Sequence, residues 1–220
     1  MSAAGDSEAP ARTAATRDPD GTARAILAAA TQEFAEKGLA GARVDAIATR
    51  AGINKRMLYH YFGSKEGLYL AALEAAYGRI RAAEAALDLG ALEPEASLAR
   101  LAGFTFDYYL ANPDFLSLLT TENLLKGETI RASERLKALH VTFIGDLDRV
   151  LARGAANGSL RVGLDAVDIY VTIAALGAFY LSNRYTLSTI FGRDLMQPTQ
   201  LAAWRAHIAE TVLALARPQP

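Results

Sequence analysis

Residues 43–65 constrain the fold of this chain more than any other segment, because two short amphipathic helices flank a glycine there. The apolar positions of the first helix recur at the spacing i, i+3, i+4 and i+7: Val44, Ile47, Ala48 and Ala51. Gly52 follows them and adopts the left-handed backbone of a helix end at little cost. Asn54 is a favourable N-cap for the next helix. The segment therefore predicts a helix-turn-helix.

The second helix of this segment has two chemically distinct faces. The apolar face carries four residues that are expected to pack inward: Leu58, Phe62, Met57 and Tyr61. The opposite face carries polar, aromatic and small residues: Lys55, Arg56, Tyr59, His60 and Gly63. Cations near the N-terminal end of such a helix donate hydrogen bonds to base edges in the major groove of DNA. Lys55 and Arg56 are therefore the candidates for base recognition.

The charge of the segment differs from the charge of the rest of the chain. Five cations and one anion give residues 43–65 a net charge of +4, whereas the whole chain carries −1, so the remainder carries −5. A concentrated cationic patch on an otherwise acidic protein indicates a directed contact with a polyanion such as double-stranded DNA. Uniform basicity would instead have suggested a protein that coats nucleic acid.

Residues 22–69 resemble the N-terminal DNA-binding domain of the tetracycline-repressor (TetR) family of bacterial regulators. Four ordered elements carry the resemblance: a first helix with Phe34 and Lys37-Gly38 at its end, IAxxAGI at 47–53, LYxYF at 58–62 and SKEGL at 64–68. The resemblance implies an all-α fold in which a three-helix DNA-binding domain precedes a helical bundle for ligand binding and dimerisation.

The resemblance also implies roles for individual side chains. It assigns phosphate contacts to Arg43, Tyr59, Tyr61 and Lys65, and base contacts to Lys55, Arg56 and His60. Arg43 departs from the family pattern, because Ser or Thr often caps the second helix there. Tyr61 keeps an alternative role, because its side chain is equally able to pack against the first helix. The base contact of His60 is inferred from its position in the motif alone.

Three regions divide the chain of 220 residues. Residues 1–20 lack apolar periodicity and a signal-peptide core, so we expect a disordered tail, whose Arg12 and Arg17 are nearly balanced by acidic residues. The DNA-binding domain is expected over 21–67 and the bundle over 68–217. The chain has no cysteine, which excludes disulfides, thiolate catalysis and zinc–thiolate sites and fits a cytoplasmic protein.

Helical periodicity dominates from residue 22 onward and predicts an all-α chain. Ser64 is expected to cap a long fourth helix that runs to about residue 87. Further helices are expected at 95–111, 113–126, 128–157, 165–191 and 198–216. The apolar run 169–181 is shorter than the ~20 residues that a bilayer requires. We interpret it as a buried helix of a protein without a membrane segment.

The last two long helices carry more apolar surface than a small bundle buries by itself, which predicts a homodimer. The residues expected to supply this surface are Phe179, Tyr180, Leu181, Trp204, Ile208 and Val212. The resemblance independently implies dimerisation through these helices.

A small-molecule effector is the second partner that the bundle suggests. The candidate ligand contacts mix aromatic walls with polar groups: Phe104, Tyr108, Glu122, Asn123, His140, Phe143 and Phe179. The placement of an inducer cavity inside the bundle comes from the resemblance, because aromatic residues at helical spacing are more often core.

The predicted function is a transcriptional repressor that an effector releases from a palindromic operator by shifting a conformational equilibrium. Two alternatives remain open: a protein that organises DNA without sensing a ligand, and a helical-bundle enzyme. The sequence lacks a phosphate-binding glycine loop, a nucleophile elbow and a Glu-x-x-His metal motif. We therefore expect no catalytic residues, no metal site and no cofactor.

Overall fold

The computed structural model describes residues 19–218, and every regular element in that range is helical. Eleven α-helices are joined by short turns and one 3₁₀ turn, Leu89–Ala91: α1 Pro19–Gly41, α2 Val44–Arg50, α3 Lys55–Phe62, α4 Lys65–Ala85, α5 Pro94–Ala111, α6 Pro113–Leu124, α7 Glu128–Arg131, α8 Glu134–Asn157, α9 Ala166–Ser182, α10 Arg184–Phe191 and α11 Pro198–Ala216. The predicted all-α fold is confirmed for this range. Arg12 and Arg17 lie outside it, and α1 begins at Pro19, inside the region expected to be a tail.

Helices α1, α2 and α3 form the N-terminal head around a small apolar core. Ile26, Ala30 and Phe34 of α1 are fully buried, because their spacing places all three on one helix face. Gly38 interrupts α1 with a φ of 65° and a ψ of 175°, and three further residues complete the helix to Gly41. The predicted end of the first helix at Lys37-Gly38 therefore corresponds to a kink.

Helix α4 belongs to the head at its start and to the bundle along most of its length. Ser64 caps it as predicted, since the Ser64 hydroxyl accepts a hydrogen bond from the Gly67 N–H at 2.9 Å. Tyr69, near its start, is fully buried and meets Phe34 of α1 with ring centroids 5.0 Å apart. In the bundle, α5 packs against α8, α9 and α11, while α6 packs against α1. The head is thus joined to the bundle through both α4 and α6.

Two helices that the sequence predicted as continuous are broken. The prediction of one helix over 128–157 is wrong, because the segment forms two helices, α7 and α8. Ser133 lies between them and caps α8, since its hydroxyl accepts a hydrogen bond from the Leu136 N–H. The prediction of one helix over 165–191 is also wrong: α9 and α10 meet at Asn183 with a bend of 67°. In addition, α6 ends at Leu124, because Lys126 and Gly127 both adopt positive φ angles.

The apolar run 169–181 is buried on one side only. Ile169 and Ile173 are buried, whereas Val171 and Phe179 are exposed. The prediction of a buried helix is therefore correct for its inner face and wrong for its outer face. Within the described residues, no single helix has the length and apolarity to cross a bilayer. The bent pair α9–α10 meets the length and composition criteria only when its two helices are taken together.

Candidate DNA-reading surface and ligand cleft

Local hydrogen bonds hold α3 in a fixed orientation on the head. Gly52 has a φ of 65°, and the turn there is closed by a hydrogen bond from the Ile53 N–H to the Ala48 carbonyl at 3.0 Å. Asn54 caps α3 as predicted, since its side chain accepts a hydrogen bond from the Arg56 N–H at 2.8 Å. Leu58 is fully buried beneath the helix. The turn and the cap therefore set which side chains α3 presents outward.

The outward face of α3 carries the side chains that the sequence predicted for it: Lys55, Arg56, Tyr59 and His60 are all exposed. Lys55 is engaged within the chain, because its Nζ lies 2.9 Å from Oδ1 of Asp45 on α2. This hydrogen-bonded ion pair raises the pKa of Lys55 and lowers the pKa of Asp45. Arg56 forms no ion pair among the described residues, so its guanidinium is available to an external acceptor.

The predicted phosphate contacts surround this face. Arg43 is exposed at the N-cap of α2, where its side chain forms no cap and its backbone N–H donates to Oε1 of Glu33 at 3.2 Å. Lys65 is half-buried, and its Nζ donates to the Ala40 carbonyl at 3.3 Å. Tyr61 is half-buried and packs on the core, with its ring 5.6 Å from the His60 ring.

Arg50, a fifth cation of the segment, points toward α1. Its guanidinium lies 3.4 Å from a carboxylate oxygen of Glu36 and 3.7 Å from one of Glu33. Two acidic side chains therefore offset its charge, and the positive patch is narrower than the sequence charge suggests. The remaining cations of the patch lie around α3.

A cleft of about 540 Å³ opens between α4 and α8 in the bundle. Its inner wall includes a buried ion pair, in which Nε of Arg81 lies 2.9 Å from Oε2 of Glu84. Arg81 is 6% exposed and Glu84 is 2% exposed. Burial raises the pKa of Glu84 to about 7, and the neighbouring Arg81 charge opposes that shift.

Aromatic rings hold the Arg81 guanidinium in place. The guanidinium carbon lies 4.1 Å from the centroid of Phe143 and 5.1 Å from that of Tyr170. Nη2 of Arg81 also donates to the Tyr170 hydroxyl at 2.9 Å. Contacts of this kind attract a cation to the ring faces. Arg81 is therefore fixed from both α8 and α9.

The seven predicted ligand contacts do not share one cavity. Phe143 lines the cleft between α4 and α8. His140, one turn earlier, packs against Tyr77 with ring centroids 5.0 Å apart, and burial lowers its pKa. Phe104 and Tyr108 are half-buried on α5, with ring centroids 5.7 Å apart.

The other three lie in different places. Glu122 is buried, and its Oε1 accepts hydrogen bonds from the N–H groups of Thr129 and Ile130 at the start of α7. Asn123 is exposed beside a shallow hollow of about 390 Å³. Phe179 is 62% exposed on the outer face of α9. Of the seven predicted ligand contacts, only Phe143 therefore lines the cleft that contains Arg81 and Glu84.

Sequence reasoning missed Arg81 and Glu84, although a signal was present. Leu73, Ala76 and Ile80 mark the buried face of α4 at helical spacing. Glu84 continues that face at i+4 from Ile80, and Arg81 lies beside it. Two charged residues on a buried helical face indicate a polar site inside a core.

Of the six residues predicted to pair two copies, only Phe179 is largely exposed. Tyr180, Leu181, Ile208 and Val212 are buried inside their own chain, because α5 covers α9 and α11. Trp204 is half-buried and stacks on Tyr180 at 4.8 Å. The outer face of α9 and α10, called the outer apolar face below, is exposed: Val167, Val171, Phe179, Tyr185, Ile190 and Phe191.

Comparison with known proteins identifies relatives of both halves of the chain. A family model described as bacterial regulatory proteins of the tetR family matches residues 26–72. A model described as a tetracyclin repressor-like C-terminal domain matches residues 94–212.

The chain is 40% identical over 194 residues to the HTH-type transcriptional repressor NicS of Pseudomonas putida, which covers 88% of this chain and 92% of the relative. It is also similar to the crystal structure of the putative transcriptional regulator SCO4942 from Streptomyces coelicolor, with a TM-score of 0.67 and 31% identity over 90% of this chain and 99% of that one. The fold is shared with the regulator FadR from Bacillus subtilis in complex with stearoyl-CoA, with a TM-score of 0.62, 19% identity and coverage of 87% and 97%.

Proposed function

Because this chain belongs to the tetracycline-repressor family of bacterial regulators, we propose that it is a homodimeric, cytoplasmic transcriptional repressor that a small molecule releases from DNA. The observation that carries the proposal is the exposed cationic and aromatic face of α3, held outward by the Asn54 cap and the buried Leu58. The relative NicS is itself named a transcriptional repressor.

On the DNA side, Arg56 is the principal base-reading residue, with Lys55 and His60 beside it. The fork of a guanidinium matches the O6 and N7 acceptors of guanine in the major groove. Arg43, Tyr59, Tyr61 and Lys65 contact phosphates on either side. Lys55 has to break its ion pair with Asp45 before it binds DNA. The free energy of breaking that pair opposes binding, and a contact with the matching base offsets it.

The outer apolar face supports the homodimer. Six large apolar side chains are exposed on α9 and α10, and an isologous contact between two such faces removes them from water. A two-fold dimer presents two α3 helices to successive major grooves, about 34 Å apart, or a multiple of that spacing. This geometry requires a palindromic operator.

Effector control operates through α4. That helix carries the capped start next to α3 and the Arg81–Glu84 pair at the cleft. A ligand that prefers one orientation of α4 shifts the population of dimers whose heads match the operator spacing. Ligand and operator then weaken each other's binding reciprocally, by about 1–3 kcal/mol in typical cases.

Selection of random duplexes on the purified protein tests this function. The expected result is a palindrome with half-sites separated by about 10 base pairs or a multiple. Competition between that site and random duplex should give a preference of at least ~10³-fold at fixed salt. A preference near unity would favour the DNA-organising alternative, because phosphate contacts alone carry no base information.

A further inference from the structure

Asp45 is the one anion among residues 43–65, and it lies beside the outward face of α3. Its side chain is 65% exposed in the first turn of α2, where the positive charges of Lys55 and Arg43 both lower its pKa. The phosphates of DNA repel a carboxylate that approaches them. Asp45 therefore needs a hydrogen-bond donor beside it when the head is bound to DNA.

Lys55 supplies that donor in the free protein. Its Nζ lies 2.9 Å from Oδ1 of Asp45, and this hydrogen bond favours the ionised carboxylate by lowering its pKa. An ionised carboxylate only accepts hydrogen bonds. When Lys55 turns to a base, Asp45 loses this donor, and Arg43 does not replace it, because Arg43 contacts a phosphate in the proposed complex. The carboxylate then faces DNA without a partner from its own chain.

Hydrogen-bond donors are scarce along the major groove of DNA. The base edges there present acceptors, the thymine methyl group and only two kinds of donor, the N4 amino group of cytosine and the N6 amino group of adenine. Guanine and thymine place acceptors opposite a carboxylate and so leave it unpaired, which disfavours them. A carboxylate on the surface that reads DNA therefore selects for an amino group and against the bases that lack one.

The Lys55–Asp45 pair matches the edge of a G·C base pair. In that base pair O6 of guanine accepts from N4 of cytosine, so an acceptor and a donor lie about 2.9 Å apart. Lys55 and Asp45 present a donor and an acceptor at the same separation of 2.9 Å. Guanine also places N7 next to O6, so an ammonium group meets two acceptors there, whereas thymine offers O4 alone beside a methyl group. A G·C pair therefore fits the two side chains better than a T·A pair.

We propose that Asp45 is a specificity-determining residue, whose carboxylate accepts a hydrogen bond from N4 of the cytosine paired with the guanine that Lys55 reads. The two members of the ion pair exchange each other for the two members of one base pair. Neither charge is left without a partner in the complex, and this is how the matching base offsets the loss of the ion pair. This role of Asp45 rests on the proposed function, in which Lys55 contacts a base.

The test uses the full-length protein and the operator that the selection of random duplexes returns. Each cytosine is replaced in turn, at symmetric positions of both half-sites, by N4-methylcytosine. This base keeps its Watson–Crick pair with guanine and carries a methyl group in place of the N–H that faces the major groove. Fluorescence anisotropy at fixed salt measures binding. Modification of one cytosine should weaken binding at least ~10-fold, which corresponds to the loss of about one base contact.

Asp45→Ala should abolish this penalty, because the carboxylate that accepts from N4 is gone. The modified and unmodified operators should then bind the variant within ~2-fold of each other. A general defect in the fold would not produce this result, since it weakens binding to both operators equally. Glu36→Ala is the matched control: Glu36 also forms an exposed ion pair in the head, with Arg50 at 3.4 Å, but it lies on α1. This variant should keep the full penalty.

Three results would overturn this role of Asp45. They are a selected half-site without a G·C pair, a half-site in which no cytosine is sensitive to N4-methylation, and a methylation penalty that persists in Asp45→Ala. Together with a palindromic operator, each of them leaves the repressor proposal standing. A selection that returns no preferred sequence rejects the repressor itself, and the role of Asp45 with it.

Discussion

Lys55 and Arg56 are adjacent cations at the start of α3, yet they meet different surroundings in their own chain. Lys55 is paired with Asp45 at 2.9 Å, whereas the exposed Arg56 guanidinium has no ion-pair partner among the described residues. If Lys55 binds DNA as we propose, it first has to break that ion pair, and this weakens its contribution to the binding free energy. In the same proposal Arg56 approaches a base without breaking an ion pair.

Replacing Arg56 with Ala should cost about 1–3 kcal/mol of binding free energy on the selected operator and relax the preference at one base position. The fold should be unchanged, because the side chain is exposed and its backbone N–H still donates to Asn54. Titration of DNA variants by fluorescence anisotropy checks this. Lys65→Ala provides the contrast: a phosphate contact should be lost on all sequences, with a smaller salt slope. A uniform loss for Arg56→Ala would contradict base recognition.

Glu84 makes the stability of the protein depend on pH. Its folded pKa of about 7 exceeds the ordinary value of 4.5, so between these pH values the folded state holds a proton that the unfolded state has released. The free energy of unfolding should therefore fall as pH rises through this window. Burial is the cause of the raised pKa, and the positive charge of Arg81 opposes it by favouring the ionised carboxylate.

Glu84→Gln should remove this dependence. The free energy of unfolding of the variant minus that of the unmodified protein should rise by roughly 1–3 kcal/mol between pH 4.5 and 7. Denaturant unfolding at several pH values measures the difference, and a constant offset from loss of the ion pair does not affect its slope. A pH-independent difference would show that Glu84 has an ordinary pKa in the folded protein.

Helix α8 shows how one position on an element tolerates a methyl group and another does not. A Cβ at Gly154 would lie 2.4 Å from the side chain of the buried Leu160, whereas a Cβ at Gly145 would meet nothing closer than 3.9 Å. The close approach at Gly154 lets the chain after α8 turn back onto the helix. The Leu160 N–H donates to the Gly154 carbonyl at 3.0 Å there.

Gly154→Ala should lower the free energy of unfolding by about 1–3 kcal/mol, because Leu160 has to move from its packed position. Gly145→Ala on the same helix is the matched control and should raise it by about 0.5–1 kcal/mol through helix propensity. Chemical denaturation compares the two variants. Equal effects in both would mean that Leu160 relaxes freely.

The sequence predicted the head more completely than the bundle. In the head, each signal is local: Gly52, the Asn54 cap and the buried Leu58 lie within seven residues of each other. In the bundle, the decisive contacts join distant residues. Ser133 is compatible with a helix interior by itself, but its hydroxyl donates to Glu74 on α4 at 2.6 Å, and the helix breaks there. Similarly, the environment of Arg81 depends on Tyr170, 89 residues later.

At the scale of the whole molecule, the outer apolar face should decide the oligomeric state. Phe179→Glu places a charge at the middle of that face and should convert the dimer to a monomer in sedimentation experiments. The monomer should remain folded, since the Phe179 side chain is mostly exposed within its own chain. Binding to the palindromic operator should weaken strongly, while each half-site contact is kept.

Val141→Glu is the matched control for this substitution. Val141 is also a large, exposed apolar residue, but it lies on α8, away from the outer apolar face. Its replacement should leave sedimentation and operator binding unchanged. A dimer that persists in Phe179→Glu would place the interface elsewhere on the molecule.

The length of α4 gives small movements in the bundle a large effect at the DNA. Sixteen residues separate Lys65 from Arg81, which corresponds to about 24 Å along a helix axis. A rotation of about 5° at the Arg81 end, acting on this lever arm, carries the opposite end through roughly 2 Å. In a symmetric dimer both α4 helices rotate in this way, and their N-terminal ends separate by about twice that distance. A shift of that size breaks direct hydrogen bonds to base edges. The bundle therefore requires no large rearrangement to end DNA binding.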